Sequence, residues 1–192
     1  ENKPILNKED SLCICIDLQE RLLPAMHNLD ELIKNANILL KMSEIYDIPV
    51  LATEQYPKGL GKTDSRIVLP KNHKLFSKEY FSIFGSEDFV KEFNSLNKKN
   101  IIVFGAETHV CVYYSVLHLV KNGYNVFVIA DACASRTKEN KEISLEQMKK
   151  VGANVISAEM ILFWHIESAK VPVSYTHLRA HDTRGNLVCR LL

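Results

Sequence analysis

Apolar and polar positions along the chain sort into two alternating kinds of run. Short apolar blocks cover residues 12–17 (LCICID), 50–55 (VLATEQ), 100–106 (NIIVFGA), 125–132 (NVFVIADA) and 154–159 (NVISAE), with a weaker one near Leu75. Blocks of this length, bounded by polar or turn residues, predict strands. Between them lie stretches with apolar residues at helical spacing. Residues 29–47 carry Leu29, Leu32, Ile33, Ala36, Leu39 and Leu40 on one face. A second helix opens at Ser86 and Glu87 with a capping pattern. A third follows Cys111 and stops at Asn122-Gly123, and a fourth covers 139–153 and ends near Gly152. A last helix begins in the segment EMILFWHI, residues 159–166.

Strands alternating with helices imply a parallel sheet covered on both faces, and runs such as IIVF and VFVIA suit strands buried on both sides. The fold class is therefore α/β, a three-layer αβα sandwich. Its core is a doubly wound, six-stranded parallel sheet of expected order 3-2-1-4-5-6. Such sheets bind ligands outside the carboxyl ends of their strands, where the order reverses. Asp17 ends the first strand and Cys111 follows the fourth, so both are expected to face one crevice.

Composition narrows the class. The 192 residues are 46% apolar and 24% charged with a formal net charge of +1, a balance typical of one globular domain. No basic block supports nucleic-acid binding, and no apolar run approaches the roughly 18 residues of a membrane span. The polar N-terminus ENKPILNKED does not read as a signal peptide, and it lacks an initiator Met, as a processed chain or fragment would. Five cysteines with no CxxC pair read as reduced thiols in a cytoplasmic protein. After Lys170 the lysines stop, while three of the six arginines (Arg179, Arg184 and Arg190) follow; the stretch VSYTHLRAHDTRGNLVCRLL resembles a translated sequencing-adapter tail. Residues 1–172 are thus read as the domain and 173–192 as a non-native tail. His177, His181 and Cys189 in that tail match no standard zinc spacing.

Each candidate has a plain structural reading beside a chemical one. Cys111 is either a buried inert thiol or a nucleophile at a helix N-terminus, where the dipole favours a thiolate. Asp17 either caps the next helix, expected at LQERLL, or serves as a general base. Lys78, among Phe76, Tyr80, Phe81 and Phe84, is either a surface lysine or a cation that steadies a thiolate and a carboxylate together. His109, two residues before Cys111, is poorly placed as its base, and His118 is two turns away. Glu107 reads as a turn residue. Arg136 either binds an anion or braces the loop after the fifth strand. TEQYPKGLGKT reads as a rim loop and lacks the phosphate-loop spacing.

Taken together, CIDLQERL with Asp17, KEYFSIF with Lys78 and GAETHVCV with Cys111 resemble the catalytic segments of the isochorismatase-like cysteine hydrolases. DACASR and MKKVGANVISAE resemble later signatures of that family, and the likeness runs over about residues 11–170. LATEQYPKGLGKT is most similar to the branch called isochorismatase domain-containing proteins. The resemblance implies a catalytic triad of Asp17, Lys78 and Cys111. It also implies a cis peptide between Ala106 and Glu107, and an oxyanion hole from the backbone N–H groups of Glu107 and Cys111. Nicotinamidases of the superfamily hold a metal with an Asp/His/His set near the second strand; the matching segment here has no His, so no metal and no cofactor are expected. Isochorismatases proper tend to lack the nucleophilic cysteine that this chain has.

The expected function is metal-independent hydrolysis of a small amide or related C–N bond through a Cys111 thioester. Two alternatives remain: a non-catalytic or partner-regulating member of the fold, or a vinyl-ether hydrolase of the isochorismate type. Gln55, Tyr56, Phe81, Phe84, His109 and Tyr113 are the expected substrate-pocket residues. A small-molecule substrate and a homo-oligomer are the expected partners, without nucleic acid or membrane.

Overall fold

The computed structural model describes residues 6–166; the 173–192 segment with His177, His181 and Cys189 lies outside the described residues. Six strands form one parallel sheet: β1 (Ser11–Ile16), β2 (Val50–Gln55), β3 (Lys74–Lys78), β4 (Asn100–Ala106), β5 (Asn125–Ala134) and β6 (Asn154–Ile156). Their order is β3-β2-β1-β4-β5-β6, as the alternation of runs predicts. Every residue of β1 and β4 is buried, which is why their apolar runs are continuous rather than alternating. The edge strand β3 is mostly exposed until its last residue, Lys78.

The helices are α1 (Leu29–Ile45), α2 (Pro57–Leu60), α3 (Glu87–Leu96), α4 (Tyr113–Lys121), α5 (Lys138–Lys150) and α6 (Ala158–Ile166). They cover both faces of the sheet: α1 packs with α6, and α4 packs with α5. Ser86 caps α3 by accepting from the Phe89 N–H, and Thr137 caps α5 by accepting from the Asn140 N–H. Chain reversal after α4 uses Gly123 at φ 82°, in the left-handed region that glycine adopts without steric cost. No helix among the described residues is long and apolar enough to cross a membrane.

Three local features differ from the sequence reading. The segment after Asp17 is not a helix. The Glu20 and Arg21 N–H groups go to Lys62 and Leu60 carbonyls of the rim loop, leaving only a 3-10 turn at Leu23–Ala25 around Pro24. Within the rim loop, Pro57–Leu60 forms the short α2. Finally, α4 does not start at Cys111. A π-helical turn, Thr108–Val112, precedes it, and Cys111 lies inside that turn.

Gly105 brings the two central strands together at their carboxyl ends. Its φ is 136°, and a Cβ there would meet the Ile16 carbonyl oxygen at 2.1 Å. Only glycine allows β4 to run this close to the end of β1, one residue before Asp17.

Candidate active site

Asp17 follows β1 at φ 50°, with its carboxylate fully buried. A buried carboxylate needs partners. Oδ2 accepts from Lys78 Nζ at 2.6 Å, and Oδ1 accepts from the Thr53 hydroxyl at 2.7 Å. The backbone adds a further tie, from Asp17 N–H to the Thr53 carbonyl at 3.1 Å.

Lys78 reaches this carboxylate from β3, across β2. Two strand spacings separate β3 from β1, about 9–10 Å, a gap that a long, extended side chain can close. The side chains of Lys78 and Asp17 are both at 0% exposure, so Lys78 is not a surface lysine. Its ammonium also donates to Gln55 Oε1 at 2.6 Å and to the carbonyls of Phe81 and Tyr80 at 3.2 and 3.3 Å.

The Cys111 thiol faces both members of this pair. Burial pushes it up to about 12, and the Asp17 charge adds to that. The nearby Lys78 ammonium opposes it, and side-chain hydrogen bonds to Asp17 and Lys78 act on it in the same opposed directions. The sequence analysis counted a helix dipole that favours the thiolate among the grounds for a nucleophile. Burial and the Asp17 charge act in the opposite direction, toward the neutral thiol. Cys13 and Cys133 are also pushed to about 12 by burial, and Cys15 is raised further.

Three ties hold the turn that carries Cys111. Glu107 accepts from the Arg136 N–H and Nε, so Arg136 braces the turn. His109 Nδ1 lies 2.8 Å from Ser135 Oγ, partnered away from the thiol. Ser115 Oγ donates to the Cys111 carbonyl at 2.6 Å and accepts from the Ile83 N–H, joining the turn to the segment that follows Lys78. The Ala106–Glu107 peptide is cis.

The expected pocket residues divide. Tyr56 and Phe81 expose their rings, and Tyr113 stands edge-on to Tyr114 at 5.6 Å. Gln55 spends its amide on Lys78 and on the Glu79 carbonyl. Phe84 turns into an aromatic cluster with Phe89, Phe93 and His118. Sequence reasoning missed Thr53, Gln19 and Ser115. Their contacts cross between strands and turns, and only the register of β1 against β2, which pairs Ile16 with Thr53, points to the first. On the rim, Glu54 accepts from Thr63 and Asp64 from Arg66. Among the described residues, no three His, Cys, Asp or Glu side chains group as a metal site would require.

The six-stranded parallel sheet in this order, with helices on both sides, matches the isochorismatase-like α/β fold. Residues 11–160 match the isochorismatase domain family. The chain is 32% identical to isochorismatase domain-containing protein 1 of Danio rerio over 167 residues, 87% of this chain and 59% of that protein. It is 32% identical to isochorismatase family protein 1A of Dictyostelium discoideum over 171 residues, 86% of this chain and 82% of that relative. Among solved structures, one described as MAR1 ribonuclease from Caenorhabditis elegans superposes with a TM-score of 0.84. It shares 28% identity and covers 92% of this chain and 91% of its own. The chain belongs to the isochorismatase family.

Proposed function

We propose that the protein is a metal-independent cysteine hydrolase of a small amide or related C–N bond, with Asp17, Lys78 and Cys111 as its catalytic residues. One observation carries the reading. A thiol, a carboxylate and an ammonium share one enclosed cluster at the carboxyl ends of β1, β3 and β4, where such folds place their chemistry.

Cys111 begins as a neutral thiol, so it needs a base at the moment of attack. As its sulfur bonds to the substrate carbonyl carbon, the Asp17 carboxylate takes the thiol proton. The backbone N–H groups of Glu107 and Cys111 receive the oxyanion. When the tetrahedral centre collapses, the C–N bond breaks and Asp17 returns the proton to the leaving nitrogen. Water then attacks the thioester and gives a proton to Asp17. The C–S bond breaks, the acid leaves, and Asp17 reprotonates the sulfur. Lys78 stays a cation throughout and offsets the negative charge that moves between Asp17 and Cys111. Amide and water enter; acid and amine leave.

The metal-free part of the reading draws on the partners already taken by Glu54 and Asp64. The test is an ammonia-release screen over small amides and carbamoyl compounds, with isochorismate and RNA as further arms. Turnover of an amide that is lost in Cys111→Ala supports the reading. Turnover of isochorismate or RNA that survives Cys111→Ala overturns it, and inertness toward every arm favours a non-catalytic member of the fold.

A further inference from the structure

We infer that β2 acts as a bracket for the buried ion pair: Thr53 and Gln55 are positioning residues, one for the carboxylate and one for the ammonium. The inference rests on the proposed reading of Asp17, Lys78 and Cys111. β2 lies between β1, which leads to Asp17, and β3, which ends at Lys78. Alternate residues of a strand share one face, so Thr53 and Gln55 point to the same side, beneath the line from Lys78 to Asp17. Register supports the pairing, since Ile16 stands beside Thr53 and Gln55 beside Lys78.

Thr53 Oγ1 donates to Asp17 Oδ1 at 2.7 Å, and Lys78 occupies Oδ2 at 2.6 Å. The two donors fix the rotation of the carboxylate that must face the thiol. Gln55 Oε1 accepts from the ammonium at 2.6 Å, as close as Asp17 does. Gln55 is a neutral acceptor, so it keeps its hold when Asp17 takes up the thiol proton and loses its charge. Without it, the ammonium would be left with the longer contacts to Phe81 and Tyr80.

Gln19 fixes Gln55 in turn. Its Oε1 accepts from the Gln55 N–H at 2.7 Å, and its Nε2 donates to the Gln55 carbonyl at 3.0 Å and to the Gly61 carbonyl at 2.8 Å. Both amide orientations follow from their partners: an ammonium can only donate, so Gln55 must present its oxygen to Lys78.

The experiment uses p-nitrophenyl acetate, an activated ester that acylates a nucleophilic thiol and needs no knowledge of the natural substrate. The burst amplitude counts competent sites, and the burst rate reports acylation per site. Thr53→Val keeps the shape and removes the donor; Thr53→Ser keeps the donor. A hydrogen bond to a charged group is worth about a ten- to hundredfold change in rate. Thr53→Val is expected to slow the burst by at least about tenfold at full amplitude, and Thr53→Ser to restore it to within about threefold.

Gln55→Met against Gln55→Glu makes the same comparison for the ammonium, with Glu restoring the acceptor; this pair decides if Thr53→Val does not fold. Equal rates in the donor-keeping and donor-lacking variants, or Met outperforming Glu at position 55, overturn the inference. A burst that persists in Cys111→Ala overturns the proposed reading itself, whatever the β2 variants do.

Discussion

Among the described residues thiols occupy two regions, and their surroundings differ more than their burial. Cys13 and Cys15 lie in the middle of β1 and Cys133 lies in β5, each enclosed by the core. Cys111 lies past the end of β4 and is 6% exposed. Burial raises all four. Of the interior thiols, Cys15 and Cys133 feel the Asp17 and Asp131 charges without a side-chain hydrogen bond to either, and Cys13 Sγ lies 3.1 Å from the Ser43 hydroxyl, which donates to the Leu39 carbonyl. Cys111 faces a carboxylate backed by an ammonium. Resting acidity therefore does not separate a reactive thiol from an inert one here. On the proposed reading, what separates them among the described residues is a carboxylate within hydrogen-bonding reach, Asp17, which Cys111 meets at the carboxyl end of the sheet.

The largest expected effect breaks the comparison directly. Cys111→Ala should lower turnover of the best amide by about a thousandfold or more, with folding retained, while Cys13→Ala should stay within about threefold of wild type because nothing catalytic touches it. Steady-state kinetics on both variants checks this.

A second effect falls on stability. Lys78→Met removes the counter-ion of the buried Asp17 and should cost about 3–5 kcal/mol in urea unfolding. The exposed pair Lys138–Glu142, 3.5 Å apart, should give no measurable loss when Lys138→Met is made. Equal losses at the two positions would mean that the buried pair is not held as described.

Gly105→Ala tests the close approach of β4 to β1. The added Cβ meets a backbone oxygen that cannot swing away, at a φ that alanine rarely adopts, so a loss of roughly 2–4 kcal/mol is expected. Thermal melts of Gly105→Ala beside Gly123→Ala isolate the contact, because nothing lies within 4 Å of a Cβ at Gly123.

The smallest effect is alkaline. Thiols raised in the folded state keep protons that the unfolded chain releases. Stability from this source is complete below about pH 9 and falls as pH rises toward 12. Each thiol contributes about 1.4 kcal/mol per pH unit inside that window. Urea midpoints at pH 8 and 10 should differ less in Cys13→Ala than in wild type; an unchanged difference would remove the thiols as the cause.

Much of the fold was legible because both-face burial writes continuous apolar runs, as in β1 and β4, and because strand order then follows from alternation. The nearness of Asp17 and Cys111 was legible from the same logic, which put them past neighbouring strand ends. The π-helical turn around Cys111 was not, since its residues carry no pattern distinct from an ordinary first helical turn. Nor was the failure of LQERLL to form a helix, because the acceptors for its N–H groups lie some forty residues away in the rim loop. Thr53 stayed hidden, and Gln55 was read only as a pocket residue, for a related reason: their contacts are with what crosses above β2, and a linear pattern does not record that.

The most direct test of the central claim, that Asp17 serves as the proton acceptor for a neutral Cys111, compares two reactions of Asp17→Asn. Amide hydrolysis needs the carboxylate to take the thiol proton and return it to the leaving nitrogen, and should fall by about a hundredfold or more. Alkylation of Cys111 by iodoacetamide at pH 8 needs only thiolate. The Asp17 charge disfavours thiolate, so alkylation should be at least as fast as in wild type. Opposite movement of the two rates is the result expected. Hydrolysis that survives in Asp17→Asn, or alkylation that falls in step with hydrolysis, would contradict the account.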